Sequence, residues 1–195
     1  MLVIVSLILI PRKIIAQNTS FKQSNKMIYS SDNFYVNYSY TNNKIYLSSS
    51  IQIRKNTSDV FNFISDVRND KLWRSEIIKT EIDTFPLLNN SSIIEYTKLS
   101  KKQPNHPLVF QIISLQPNKL FQMETIEGSP FWEVSQREVE YLNNGVTQFT
   151  YCVNFDAKIL KFALGFYLPQ FILRPYLKSV TKQYLRKLKN VLEEK

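Results

Sequence analysis

The 195-residue sequence contains one cysteine, three glycines and one histidine, and each shortage excludes a class of protein. A single cysteine, Cys152, cannot form an internal disulfide, so a disulfide-stapled secreted scaffold is excluded. So few glycines leave no material for a glycine-rich phosphate-binding loop. Histidine and cysteine show no metal-ligand spacing, and the sequence predicts neither a metal site nor another cofactor.

The sequence also lacks an apolar run long enough to cross a bilayer. Its N-terminal run, residues 2–10, ends at Pro11, whereas a transmembrane helix needs about 20 residues. The run is long enough for the core of a signal peptide, but no lysine or arginine precedes it. Arg12 and Lys13 also lie where a cleavage region should be neutral. A cytoplasmic protein is therefore favoured, with export or membrane association through residues 1–16 as the alternatives.

Positive charge is in excess, with a formal net charge of +9. Much of it lies late in the chain, at the spacing of the solvated face of an amphipathic helix. Transient contact with an anionic membrane is the alternative use of this charge. Nucleic acid is not expected, because no helix-turn-helix, zinc-finger or aromatic RNA-binding signature is present. The basic residues concerned are Lys158, Lys161, Arg174, Lys178, Lys182, Arg186, Lys187 and Lys189.

The chain divides at about residue 44 into two parts of different character. Residues 1–44 are predicted to be an extension, in which the apolar run, a signal or an anchor, is followed by a linker rich in Asn, Ser and Tyr. One additional strand is predicted within it at residues 34–40. Residues 45–195 carry the sustained patterns and are predicted to form a single domain, expected to be monomeric.

Alternating apolar residues from Lys44 onward predict a mainly antiparallel sheet. The first strand leads into a short helix at residues 59–65, with Thr57 or Ser58 as its N-cap, and then into a second short helix or turn at residues 66–73. Asn144 and Gly145 predict a two-residue hairpin between the last two strands, because both tolerate positive φ. Further strands are predicted at residues 77–85, 92–99, 108–115, 120–126, 131–141 and 146–155.

The segment at residues 160–177 is aromatic but interrupted by Gly165, Pro169 and Pro175. Proline breaks helices, so the segment is not one continuous helix. It is predicted to form a turn or short helix over a cavity mouth, before a long C-terminal helix that begins near Pro175. Insertion of its aromatic groups into a membrane interface is the alternative.

Two stretches resemble a known family. Residues 51–66, Ile-Gln-Ile-Arg-Lys-Asn-Thr-Ser-Asp-Val-Phe-Asn-Phe-Ile-Ser-Asp, with Trp73 seven residues later, resemble the opening of the polyketide cyclase/dehydratase group of the START-like (SRPBCC) superfamily. Residues 184–193 resemble the end of its terminal helix. The resemblance implies an α+β helix-grip fold, in which a curved antiparallel sheet wraps around a long C-terminal helix, with two short helices after the first strand.

Alternation along the strands and helical spacing bring two apolar surfaces face to face. A ligand cavity is predicted between them, unless the two surfaces fill one another as a solid core. The predicted cavity residues are Phe121, Met123, Phe149, Tyr151, Val153, Phe155, Leu177, Val180 and Tyr184.

The predicted function is binding, or transport, of a hydrophobic small molecule such as a lipid, an isoprenoid or a polyketide-like compound. No catalytic residue is assigned, because the single histidine, His106, lies between prolines and is interpreted as a solvated loop residue. The alternatives are a cyclase or dehydratase acting on a polyketide-like substrate, and a membrane-associated interaction protein. An enzyme would need an ionisable or polar group in the cavity, and the candidates are Glu95, Tyr96, Gln111, Glu124, Gln136, Arg137 and Tyr151.

Overall fold

A computed structural model describes residues 34–194, and the predictions for residues 1–16 lie outside this range. The strands are β1 (Tyr35–Thr41), β2 (Lys44–Ile53), β3 (Ile77–Ile82), β4 (Ser92–Thr97), β5 (His106–Gln116), β6 (Leu120–Thr125), β7 (Glu133–Asn143) and β8 (Val146–Asp156). The helices are α1 (Thr57–Ser65), α2 (Asp70–Trp73), α3 (Lys158–Leu164) and α4 (Gln170–Glu193), and Val67–Asn69 form a 3₁₀ turn before α2.

The strands form one antiparallel sheet in the order β1-β2-β8-β7-β6-β5-β4-β3, with β1 and β3 at its edges. The long helix α4 packs against β1, β2 and α2 on one side of this curved sheet. The predicted α+β helix-grip fold is therefore confirmed. The strands after β2 that the sequence predicts are all present, and the largest difference in their bounds is at β3, which ends at Ile82 rather than at residue 85.

Two tight turns that contain asparagine connect neighbouring strands. The predicted turn between β7 and β8 is confirmed, since Asn144 and Gly145 have φ of 45° and 74°, as a type I′ turn requires. The sequence analysis missed its counterpart between β1 and β2, where Asn42 and Asn43 have φ of 53° and 58°. Asparagine visits this left-handed region more readily than most residues.

The β1 strand, which falls within the predicted extension, is paired with β2 along its whole length. The division of the chain at residue 44 stays a prediction.

Helix α1 begins at a different cap from the predicted one. Asn56 is the N-cap, because its extended backbone precedes the helix and its side-chain oxygen accepts a hydrogen bond of 2.8 Å from the Asp59 N–H. The Asn56 amide also donates to the Asp59 carboxylate at 2.8 Å, which completes a reciprocal cap. Both predicted caps, Thr57 and Ser58, lie inside the helix, and the Thr57 hydroxyl is 3.2 Å from that of Thr147.

The C-terminal segment confirms one prediction and corrects another. The chain does break between two helices, because α3 ends at Gly165, whose φ of 86° suits a glycine C-cap. The long helix, however, begins at Gln170 and not near Pro175, which lies inside it. Pro175 is only the sixth residue of α4, so the backbone hydrogen bond that it removes is close to the helix start.

The core lies between the sheet and the helices α1, α2 and α4. Trp73, the last residue of α2, is fully buried and meets the rings of Phe149 and Tyr151 edge-on, with centroids 6.2 Å and 5.2 Å away. It therefore packs α2 directly onto β8. Within residues 34–194, no helix combines the length and the apolar character needed to span a bilayer.

Candidate functional site

The nine predicted cavity residues lie together inside the protein. Eight of them are buried, and Val180 alone is only partly buried. They come from β6 and β8 and from the side of α4 that packs on the core. Burial is common to a cavity wall and to a solid core, so their role as a ligand-cavity lining stays a prediction.

Two surface depressions lie elsewhere in the described part of the chain. They have volumes of about 360 Å³ and about 270 Å³ and flank the loop at residues 126–130, between β6 and β7. Lys44 and Trp132 border the larger one, where the lysine ammonium lies 4.0 Å from the centre of the indole ring. Neither depression is lined by any of the nine predicted residues.

The interior also contains a network of charged side chains, each at most 1% exposed. We call it the buried ion network, and its members are Asp70, Arg74, Glu76, Glu95 and Arg137. Burying one uncompensated charge is very costly, so buried ions persist where partners and hydrogen bonds are provided.

Arg74 holds three of these carboxylates. Its Nε donates to Glu76 at 2.9 Å, and its Nη1 donates to Asp70 at 3.0 Å and to Glu95 at 2.9 Å. Asp70 and Arg74 lie four residues apart at the two ends of α2, whereas Glu95 projects from β4. Arg74 therefore fixes α2 against the β3–β4 side of the sheet.

Arg137 completes the network from β7. Its two terminal nitrogens donate to the two oxygens of Asp70, one of them at 2.8 Å, and Nη1 also donates to the backbone carbonyl of Ile64 at 2.6 Å. Asp70 is thus shared by two guanidinium groups. A bidentate arginine–carboxylate pair fixes orientation as well as charge, so α1, α2 and β7 are locked together.

Several buried polar atoms beside this network have no hydrogen-bond partner within residues 34–194. Tyr151 pairs with Arg137 across β7 and β8, and the Arg137 guanidinium lies 5.5 Å from the centre of the Trp73 ring. Apolar side chains of the core and several unpartnered polar atoms thus occur together around this network. The atoms are the Tyr151 hydroxyl, Trp73 Nε1, Arg137 Nε, Glu76 Oε2, Glu95 Oε2, Ser135 Oγ and Thr97 Oγ1.

Protonation equilibria are shifted at this place. Burial raises the pKa of Glu95 to about 7, since the nearby Arg74 guanidinium only partly offsets the loss of solvation and the charge of Asp70 adds to it. Burial also raises the pKa of the Tyr151 phenol far above its usual range, against the opposing charges of Arg74 and Arg137. Glu95 can therefore gain or lose a proton near neutral pH, while Tyr151 stays neutral.

His106 differs from its interpretation as a solvated loop residue. It opens β5 and is partly buried, with its ring 5.2 Å from that of Phe162 and 6.1 Å from that of Phe131. Burial lowers its pKa. Pro107 does not prevent the strand, because β6 pairs with β5 only from Phe110 onward and no N–H is required there.

The structure divides the seven candidate polar residues into two groups. Glu95, Arg137 and Tyr151 are buried inside, whereas the other four, Tyr96, Gln111, Glu124 and Gln136, are not buried and alternate with inward-facing neighbours. The sequence analysis missed Asp70, Arg74 and Glu76. Their only signal was the spacing of four between Asp70 and Arg74, which more often marks an exposed helix pair.

Comparison with known proteins supports the fold assignment. The sequence matches no family model and no curated protein. The structure is similar to a START superfamily protein from Mycobacterium smegmatis, with a TM-score of 0.60 and 11% identity over 76% of this chain and 97% of that one. It is also similar to the Zhui aromatase/cyclase from Streptomyces sp. R1128, with a TM-score of 0.56 and 13% identity over 77% and 92% of the two chains.

A third similar structure is the di-domain ARO/CYC StfQ of the steffimycin biosynthetic pathway. Its TM-score is 0.56 and its identity 11%, over 77% of this chain and 51% of that one. At such identities the likeness shows the fold alone. The chain has the START-like fold that its two sequence motifs predict.

The raised pKa of Glu95 predicts a pH dependence of stability. Between its ordinary pKa of 4.5 and about 7, the folded protein holds this proton and the unfolded chain does not. The free energy of unfolding must then fall as pH rises through this window. Glu95→Gln removes the proton equilibrium, so urea unfolding from about pH 5 to about pH 8 should show a smaller fall in the variant than in the wild type.

A matched control is Glu140→Gln, since Glu140 is an exposed residue of β7 and does not belong to the buried ion network. It should keep the wild-type pH profile, because His106 and all other titrating groups are shared. Identical slopes for the wild type and Glu95→Gln would contradict the raised pKa.

Proposed function

We propose that this domain binds, and carries, a hydrophobic small molecule such as a lipid, an isoprenoid or a polyketide-like compound between its sheet and α4. The observation that carries the proposal is the composition of the interior, where apolar side chains pack beside buried polar atoms that have no partner within residues 34–194. The Tyr151 hydroxyl is the clearest of these, on a side chain 1% exposed. The START-like fold fits a protein that binds hydrophobic ligands.

Unpartnered polar atoms support a ligand because they are costly to bury. A buried hydroxyl or ring N–H without a hydrogen bond destabilises a protein by about 1–3 kcal/mol. Tyr151 and Trp73 each carry such an atom, and their rings contact one another. A bound molecule with its own polar group would provide the missing hydrogen bonds, so the cost would be recovered on binding.

The binding proposal is tested with a neutral fluorescent probe, N-phenyl-1-naphthylamine, and a variant that fills the interior. Val153 is buried on β8, and Val153→Trp should lower probe affinity at least about tenfold while changing the free energy of unfolding by less than about 1 kcal/mol. If the core is solid, Val153→Trp should lower the free energy of unfolding by about 1–3 kcal/mol or more. In that case neither the wild type nor the variant should bind the probe. Fluorescence titration and urea unfolding provide the two measurements.

The control for this variant is Val109→Trp. Val109 is partly exposed on β5, between the buried residues Leu108 and Phe110, and faces away from the interior. It should leave probe binding unchanged. Saturable binding that survives Val153→Trp would place the ligand elsewhere in the protein.

A cyclase or dehydratase is the second candidate, favoured by one observation. Glu95 has its pKa raised to about 7, the range in which a carboxyl group can accept and return a proton at neutral pH. The buried Tyr151 phenol is available in the same cluster as a neutral hydrogen-bond donor. In such a reaction Glu95 would take a proton from the carbon next to a carbonyl group and give it to a departing hydroxyl, which leaves as water. The Tyr151 phenol would act as the hydrogen-bond donor.

The enzyme proposal is tested with a linear poly-β-ketone thioester. Cyclisation with loss of water should be faster in the presence of the protein, as followed by mass spectrometry. Glu95→Gln should reduce the rate at least about a hundredfold, the usual size of a general acid–base contribution. Probe affinity should persist in Glu95→Gln, and Glu140→Gln should behave as the wild type. Equal product with and without protein would exclude this candidate and leave binding as the function.

The turn between α3 and α4 supports transient contact with an anionic membrane during ligand exchange. This turn and the first turn of α4 present an aromatic surface, which we define as Phe166, Tyr167, Phe171 and Ile172, and Phe171 is 79% exposed. The exposed cations Lys158, Lys161 and Arg174 flank it in the sequence, and the Lys161 ammonium lies 5.1 Å from the centre of the Tyr167 ring. Exposed aromatic groups beside lysine and arginine are the composition of surfaces that enter the membrane interface.

The membrane proposal predicts two separable effects in vesicle co-sedimentation. Anionic vesicles should bind the protein more tightly than neutral ones, because each nearby cation adds up to about 1 kcal/mol at a negative surface. Salt should weaken this preference. Phe166→Asp combined with Phe171→Asp should remove the binding that resists salt.

The matched control replaces two equally exposed apolar residues in another loop, Phe85→Asp with Leu88→Asp. It should bind vesicles as the wild type does. If both double variants behave alike, or if lipid charge has no effect, the aromatic surface does not contact membranes.

A further inference from the structure

The buried charges indicate which end group the ligand carries into the protein. We infer that the interior accepts ligands whose buried end is a neutral hydrogen-bonding group, such as a hydroxyl, a ketone or an amide, and rejects carboxylates and phosphates. The inference rests on the proposed binding function and adds the polar chemistry of the ligand to it.

The first argument is that both buried arginines are already neutralised. Arg74 donates hydrogen bonds to Asp70, Glu76 and Glu95, and Arg137 binds both oxygens of Asp70. No buried lysine is present among residues 34–194. Arg137 Nε has no partner within residues 34–194, but an anionic ligand bound there would share the guanidinium with the Asp70 carboxylate. To bind the guanidinium nitrogens that are already hydrogen-bonded, it would have to displace a protein carboxylate, which would be left buried and uncompensated.

The second argument is the balance of charge. The buried ion network comprises three carboxyl groups, Asp70, Glu76 and Glu95, against the two arginines. With every group ionised, two positive and three negative charges give a formal charge of −1. Another anion would meet like charge in a region of low dielectric constant, where repulsion is strong. Burial raises the pKa of Glu95, and the charge of Asp70 contributes, which agrees with a site already rich in negative charge.

The third argument is that the unpartnered atoms match a neutral group. The Tyr151 hydroxyl can donate and accept, Trp73 Nε1 can donate, and Ser135 Oγ, opposite Val153 on the neighbouring strand, can do both. A ligand hydroxyl or carbonyl can bond to such atoms without bringing a charge into the interior. The polar cluster can therefore form hydrogen bonds with a neutral end group, whereas its negative charge repels an anion.

The strongly basic composition alone favours the opposite preference, but the excess of positive charge lies outside. Lys158, Lys161 and Arg174 are all exposed, as are Arg186 and Lys187 on the solvent side of α4. Interior and surface therefore have opposite charge preferences. An anionic group, such as a lipid phosphate, fits the surface, whereas the interior suits a neutral molecule.

The experiment compares ligands that differ only in the end group. Decanol, decanamide and decanoate compete with N-phenyl-1-naphthylamine near pH 8, where decanoate is ionised, at high salt and below micelle-forming concentrations. Decanol and decanamide should displace the probe at concentrations at least about tenfold lower than decanoate. High salt suppresses binding of decanoate to the basic surface, so displacement reports on the interior site.

Two variants locate the effect. Tyr151→Phe keeps the ring and removes the hydroxyl, so decanol affinity should fall about fivefold or more while decanoate affinity stays the same. Its control is Tyr141→Phe, at an exposed tyrosine of β7. Glu95→Gln removes one carboxyl group and should raise decanoate affinity, whereas Glu140→Gln should not.

The outcomes separate this inference from the proposed function. Decanoate that binds as tightly as decanol in the wild type would overturn the inference and leave the binding function intact. If the protein binds the probe but Tyr151→Phe leaves the affinity for decanol unchanged, the end group of the ligand does not bind at the Tyr151 cluster. A protein that binds neither the probe nor any of the three ligands would overturn the proposed function, and the inference with it.

Discussion

The shared carboxylate of Asp70 is the interaction on which the interior depends. It accepts hydrogen bonds from Arg74 and Arg137, so a single side chain of the short helix α2 joins both buried guanidinium groups. Arg74 extends the connection to Glu95 on β4, and Arg137 extends it to β7 and to the end of α1. Removing one partner of a buried ion pair typically costs about 3–5 kcal/mol, because the other charge is left without compensation. The helices after β2 and two separate strands are thus held by one electrostatic arrangement.

The fold was largely predictable because its signals are local. Alternation of apolar residues predicted the strands, and the Asn144–Gly145 pair predicted the hairpin between the last two of them. The errors arose where neighbouring residues offered equivalent chemistry. Asparagine and threonine are both common helix N-caps. Only the extended backbone of Asn56, directly before the helix, shows that Asn56 rather than Thr57 is the cap. The start of α4 was misplaced because proline is common in the first turn of a helix but is tolerated slightly later as well.

The candidate site was predictable only for its apolar part. On β8, Phe149, Tyr151, Val153 and Phe155 alternate with polar residues, so the inner face can be read from the pattern. On β7, the run Glu133 to Glu138 has polar residues on both faces, and periodicity cannot show that Arg137 points inward. A buried charge becomes recognisable only when its partners are in place. The partners of Arg137 are the Asp70 carboxylate and the Ile64 carbonyl, which are 67 and 73 residues away in the sequence, so no short-range pattern connects them.

The position of β1 at the edge of the sheet has a consequence for the solution behaviour of the protein. β1 covers one side of β2 along seven residue pairs, and no strand of the described residues pairs with its outer side. Its sequence, Tyr-Val-Asn-Tyr-Ser-Tyr-Thr, contains no charged residue and no proline, the two devices that usually prevent an edge strand from recruiting another chain. The opposite edge, β3, carries Lys79 and Glu81. The two ends of the same sheet are therefore unequally protected against self-association, and the one built from tyrosine and asparagine is the weaker.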